Sequence, residues 1–110
     1  MNYKDKKWLH KRSVILRRDG YQCQESKRYG KTAGATTVHH IYPVEFYPEL
    51  AYEEWNLISL SDGKKGKHNS MHIRETHELT ELGKQWCERR KEQFSKWYSD
   101  RNMIPPSLIN

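Results

Sequence analysis

Two pairs of histidines with one asparagine between them constrain this chain more than any other feature. His39 and His40 are adjacent, and His68 and His72 stand four apart in Lys67-His68-Asn69-Ser70-Met71-His72. Asn56 falls between the pairs, inside Trp55-Asn56-Leu57-Ile58-Ser59-Leu60. Residues i and i+4 share one face of a helix, so His68 and His72 can turn ring nitrogens toward a single ion. Neighbouring side chains on a strand point to opposite faces. If His39 faces that ion, His40 points elsewhere, and the geometry separates a ligand from a base. Three imidazoles plus an open position is a common catalytic metal arrangement. An i, i+4 histidine pair alone arises by chance on solvated helices; a doubled histidine followed by such a pair in one small domain is harder to obtain that way.

The surrounding sequence places the pairs on elements of the expected type. Asp5 is a candidate N-cap for a helix over 5–18, with Trp8, Leu9, Ile15 and Leu16 as its apolar face and Asp19-Gly20 as its stop. Arg12, Arg17 and Arg18 make the end of that helix basic, which suits its dipole. Residues 21–36 are polar and turn-rich and read as a loop or short hairpin. Thr36 to Tyr42 is β-branched and aromatic, and Leu57 to Leu60 reads as a second short strand. Pro43 and Pro48 bracket an irregular stretch. Asp62 to Lys67 is a basic, glycine-containing loop, followed by a short helix from His68 to about Arg74. A single long helix is predicted from about Thr80 to Ser99, with Leu82, Trp86, Phe94 and Trp97 spaced to pack in the core. The tail 102–110, with Pro105-Pro106, is expected to be loose.

At 110 residues the chain is expected to form one domain. Hydrophobic residues make up only 35%, but aromatics reach 12%, and a few large apolar side chains suffice for a small core. The net charge of +6 and the isoelectric point near 9.4 favour a polyanionic partner, nucleic acid above all. Cys23 and Cys87 cannot make a four-cysteine zinc cluster or a disulfide framework, so a reducing compartment fits best. No apolar run approaches membrane-spanning length, and the first residues contain no signal-peptide core. A cytoplasmic protein with no membrane partner is therefore expected.

Val38-His39-His40-Ile41, Asn56-Leu57-Ile58 and His68-Asn69-x-x-His72 resemble the motif of HNH endonucleases. The upstream run from Leu16 to Gln24 resembles the segment that precedes the motif in many small members, so the likeness covers roughly residues 11–75. The gaps between the blocks are close to those of the bacterial DNase colicins. The resemblance implies an α+β fold with a small ββα-metal core, about residues 36–75, flanked by an N-terminal and a long C-terminal helix. It implies that His40 is the general base and that Asn56 holds the base in position through the chain near it. It further implies that His39, His68 and His72 ligate one divalent metal ion. The substrate class implied is double-stranded DNA, cut or nicked to leave 5′-phosphate and 3′-hydroxyl ends. The stand-alone form resembles phage and prophage members that sit beside the terminase large subunit and assist packaging. A monomer with one site cuts one strand at a time.

Two departures from the family pattern matter. His39 replaces the aspartate common before the base, and an all-imidazole set favours Zn²⁺, Ni²⁺, Co²⁺ or Mn²⁺ over Mg²⁺. Cys23 is followed by Ser26 rather than a second cysteine, and Ser61 and Lys64 stand near where a later pair would fall. A structural zinc is therefore not expected, and both cysteines should be free thiols. Lys64, Lys65 and Lys67, together with Arg17 and Arg18, are the candidate phosphate contacts. The competing reading is a non-catalytic, metal-stabilised nucleic-acid-binding or packaging accessory module. The presence of both His40 and Asn56 argues against it, because a structural site needs neither.

Overall fold

Asp5 opens the first helix as the sequence predicts. Its carboxylate accepts from the Lys7 N–H at 3.0 Å, and α1 runs from Lys6 to Arg18. Gly20, at φ +63°, closes the helix: its N–H bonds to Arg17 and the Tyr21 N–H bonds to Leu16 at 2.9 Å. Trp8, Ile15 and Leu16 are buried on one face, whereas Leu9, expected with them, is 49% exposed. A 13-residue helix is about 20 Å long and outruns the four-residue strands beneath it, so its first turn buries little beyond Trp8. The computed structural model describes residues 1–62, 71 and 79–106.

The sheet has two antiparallel strands, β1 (Thr37–His40) and β2 (Leu57–Leu60). Thr37 pairs with Leu60, Val38 with Ser59, His39 with Ile58 and His40 with Leu57. All of β2 and most of β1 is buried, and adjacent Leu57 and Ile58 of β2 are both apolar because both faces of the sheet are covered. On one face Val38 and Leu57 pack with Trp8, Ile15, Leu16 and Ala35. The other face joins a larger core in which Ile41, Ile58 and Leu60 meet Tyr42, Tyr47, Met71, Trp86 and Phe94.

The stretch expected to be loop contains a short helix, α2 (Gln24–Arg28), enclosed by hairpin-like pairing. Cys23 donates to Ala33 at 2.8 Å and Ala35 to Tyr21 at 2.9 Å, around a bridge between Gln22 and Gly34. The irregular stretch carries two 3-10 turns, Pro48–Leu50 and Glu54–Asn56.

The long C-terminal helix predicted from the sequence is two helices. Thr80 caps α3 (Glu81–Arg89), and the chain breaks at Arg90 (φ −113°, ψ 11°) before α4 (Lys91–Ser99). The break lets α4 lay aromatic rings onto the larger core. Phe94 stacks on Tyr42 with ring centres 4.3 Å apart, and Tyr98 meets Phe94 edge-on at 4.9 Å. Trp86 and Phe94 are buried and Leu82 and Trp97 partly so, in keeping with their predicted packing role. Gly83 sits so close to the Met71 carbonyl that a Cβ there would lie 2.5 Å from the oxygen. The predicted helix from His68 to Arg74, and with it the helical part of a ββα core, lies outside the described residues apart from Met71. No helix among the described residues is long and apolar enough to cross a membrane.

Candidate active site

β1 puts its two histidines on opposite sides of the sheet, as strand alternation demands. His40 shares the α1 face with Val38. Its imidazole lies parallel to the Trp8 indole, with ring centres 5.0 Å apart and planes 21° from parallel. Tyr3 meets the same ring edge-on at 6.4 Å, and His40 is left 6% exposed. Its Nε2 lies 3.0 Å from the Ala51 carbonyl oxygen. A carbonyl has no proton to give, so Nε2 donates, and a neutral ring then keeps its lone pair on Nδ1. Trp8 fixes the plane of the ring and Ala51 fixes its tautomer.

Ala51 is itself placed by Asn56. The Asn56 carboxamide is fully buried. Its oxygen accepts from the Tyr42 N–H at 2.7 Å, while its nitrogen donates to the Tyr42 and Leu50 carbonyls, each at 3.2 Å. The Asn56 backbone carbonyl accepts from Ile41 at 2.8 Å. One side chain thus closes the 42–50 segment at both ends. Leu50, which it holds, directly precedes the residue whose carbonyl orients His40.

Two arginines brace this asparagine from outside. Arg18 donates to the Glu54 carbonyl at 2.8 Å and to the Leu57 carbonyl at 2.6 Å, and pairs with the Asp19 carboxylate. Asp19 in turn accepts from the Ser59 N–H at 2.9 Å, tying the end of α1 to β2. Arg90 donates from Nε to the Trp55 carbonyl at 3.2 Å. Arg18, a candidate phosphate contact from the sequence, therefore has its donors engaged by protein acceptors. Arg17 is exposed.

His39 is 1% exposed and shares the opposite face with Ile41. Met71, which directly precedes His72, is fully buried in the same cluster as Ile41 and Ile58. The remaining predicted ligands, His68 and His72, and the predicted phosphate contacts Lys64, Lys65 and Lys67 lie outside the described residues. Among the described residues no three His, Cys, Asp or Glu side chains gather closely enough to hold a metal ion.

The cysteines are both buried and free. Burial opposes ionisation of Cys23, but hydrogen bonds from Ser26 and Ser61 outweigh it and hold the thiol below its ordinary value. The two serines noted as departures from the family pattern thus converge on Cys23. Burial alone pushes the Cys87 thiol up to about 12.

The sequence singles out His40 and Asn56 as candidates but carries no signal for the supporting roles of Ala51, Trp8 or Arg90, which the structure packs or bonds around them. Ala51 acts through a backbone carbonyl, for which a sequence has no signature. Trp8 was legible as an apolar helix residue but not as the partner of an imidazole.

A two-stranded antiparallel sheet with helices packed on it, bearing a clamped histidine on its first strand, defines a small α+β fold. That fold is shared with the HNH endonuclease of the deep-sea thermophilic bacteriophage GVE2, whose crystal structure contains a manganese ion. The two chains are 23% identical and superpose with a TM-score of 0.51 over 86% of this chain and 78% of the other. No protein-family model matches the chain, and no curated protein matches it.

Proposed function

We propose that this protein is a metal-dependent endonuclease of the HNH kind that hydrolyses phosphodiester bonds in DNA, as a nicking enzyme or a double-strand cutter. The observation that carries the reading is the His40–Ala51–Asn56 arrangement: a strand-borne imidazole with its tautomer fixed by a carbonyl that a buried asparagine holds in place. A purely structural metal module has no use for such an imidazole. The shared fold with a phage HNH endonuclease supports the same reading.

His40 takes a proton from the attacking water at Nδ1, the nitrogen left basic when Nε2 donates to Ala51. Asn56 keeps that nitrogen aimed by holding Tyr42 and Leu50. Trp8 restricts rotation of the ring. His39 has the burial and the opposite-face placement of a ligand, and with His68 and His72 it would hold one divalent ion. When bound, such an ion would stabilise charge on the phosphate and on the departing 3′-oxygen. An all-imidazole set accommodates Mn²⁺, the ion found with the structural neighbour, as well as Zn²⁺, Ni²⁺ or Co²⁺. A packaging role beside a phage terminase large subunit is proposed by analogy alone.

The test is conversion of supercoiled plasmid to nicked or linear DNA with each divalent metal and with chelator, followed by analysis of the ends. The reading predicts metal-dependent conversion, 5′-phosphate ends, and weakened metal binding by His68→Ala in calorimetry. Conversion that persists in chelator, or wild-type metal affinity in His68→Ala, would remove the proposed centre.

A further inference from the structure

Four arginines gather beside the Asn56 clamp. Arg28 of α2 and Arg89 and Arg90 at the end of α3 place their guanidinium carbons 5.9, 5.2 and 5.5 Å from the centre of the Trp86 ring. Trp86 is buried, and its indole N–H donates to Glu25 at 2.6 Å. Glu25, only 1% exposed, also accepts from Arg28 through both oxygens, at 2.9 and 3.1 Å. The acid at the centre of the cluster is thus engaged from below and offers nothing to the surface.

Arg18 joins the group through Arg90. Burial first, then the positive charges of Arg18 and Arg89, hold Arg90 below its ordinary value, with Asp19 alone opposing. Asp19 is already bonded to Arg18 and to the Ser59 N–H. Lys27 and Arg89 are exposed, and neither makes a side-chain hydrogen bond or ion pair with the described residues. Arg28 also lies over the ring of Tyr29 at 5.4 Å, and Tyr29 is 64% exposed. Three guanidinium groups thus surround one ring, bordered by the exposed ring of Tyr29, and the exposed acid that precedes Arg89, Glu88, is paired with Lys91.

Guanidinium groups recognise phosphate oxygens through a planar fork of donors, and crowding them together raises the energy of the unliganded protein. Cations spread over two helices suit a row of phosphates better than one small anion. We infer that the arginine collar around Trp86, with Arg89 as its open member, is a docking surface for the phosphate backbone of duplex DNA. The inference rests on the proposed function for the choice of DNA as the polyanion.

Binding is measured in chelator, so that cleavage plays no part, by fluorescence anisotropy of a short labelled duplex with wild type, Arg89→Gln and Lys96→Gln. Lys96 lies on α4 and pairs with Asp100, so its replacement removes the same charge elsewhere. Arg89→Gln is expected to weaken binding by about threefold to tenfold at about 0.1 M salt. The slope of log affinity against log salt should become shallower by about 0.9, whatever the duplex sequence. Equal weakening in Arg89→Gln and Lys96→Gln would reduce the effect to net charge and overturn the proposal. Competition by inorganic phosphate or polyglutamate as effective as by unlabelled duplex would overturn it too. A wild type that binds through Arg89 yet cuts nothing would sink the nuclease reading and leave this surface standing. A wild type that cuts while Arg89→Gln binds normally would do the reverse.

Discussion

Replacing Asn56 with alanine removes three buried hydrogen bonds at once: those to the Tyr42 N–H, the Tyr42 carbonyl and the Leu50 carbonyl. Each is worth about 1 kcal/mol net, and the Tyr42 N–H and carbonyl are left without a substitute in the dry interior, while the Leu50 carbonyl keeps the Glu53 N–H at 3.3 Å, so the loss is about 3–5 kcal/mol. A domain of this size has only about 5–15 kcal/mol in hand, so the change should be plain in urea unfolding followed by circular dichroism. Asn56→Asp sharpens the test. The isosteric carboxylate still accepts from Tyr42, but it faces two carbonyl oxygens at 3.2 Å where the amide donated. Burial and those oxygens raise the folded pKa of the new acid above its unfolded value of about 3.9. A raised folded pKa means that the protonated form supports the fold below about pH 4 and that this support is lost as pH rises through the folded pKa. Relative to wild type, Asn56→Asp should therefore be least destabilised in mild acid and most destabilised at neutral pH. A loss below about 1 kcal/mol in Asn56→Ala, or a deficit in Asn56→Asp that does not vary with pH, would refute the clamp.

Other outcomes follow from the same geometry. Trp8→Ala removes both the stack on His40 and a buried core ring, and should lower stability by about 3–5 kcal/mol and cleavage with it. Trp8→Phe keeps a ring over the imidazole and should recover most of the cleavage rate; equal loss in both variants would show that the stack is irrelevant to His40. Cys87, pushed up to about 12 by burial, should resist thiol reagents in the folded protein near neutral pH, where they require the thiolate. Because its folded pKa is raised from 9.0, its contribution to stability is full below pH 9 and declines from there toward pH 12. Urea midpoints across that range should fall less steeply in Cys87→Ala, and an unchanged slope would contradict the assignment.

The parts of the molecule that read well from sequence are those whose signals are local. Asp5 and Asp19-Gly20 bound α1 because a cap and a left-handed glycine act within one turn. β1 and β2 were legible because the β-branched and apolar runs around His39 and Leu57 have few other uses in so polar a chain. The break at Arg90 was not legible: no proline or glycine marks it, and it is supported by the distant Trp55 carbonyl and by the packing of Phe94 on Tyr42. α2 stayed hidden because five residues are too few to show a helical period. At the site, His40 and Asn56 could be picked out as residue types in a pattern. Their supports could not, because Ala51 and Tyr42 act through backbone atoms. Arg18 read as a cation for phosphate, yet long-range carbonyls at Glu54 and Leu57 take its donors.

The central claim is that His40 is the base of a phosphodiester hydrolase. It is tested most directly by comparing wild type with His40→Ala for plasmid cleavage in Mn²⁺ while metal binding is followed by calorimetry. The account predicts cleavage by wild type, none by His40→Ala, and the same metal affinity in both. Cleavage by His40→Ala at the wild-type rate would contradict it.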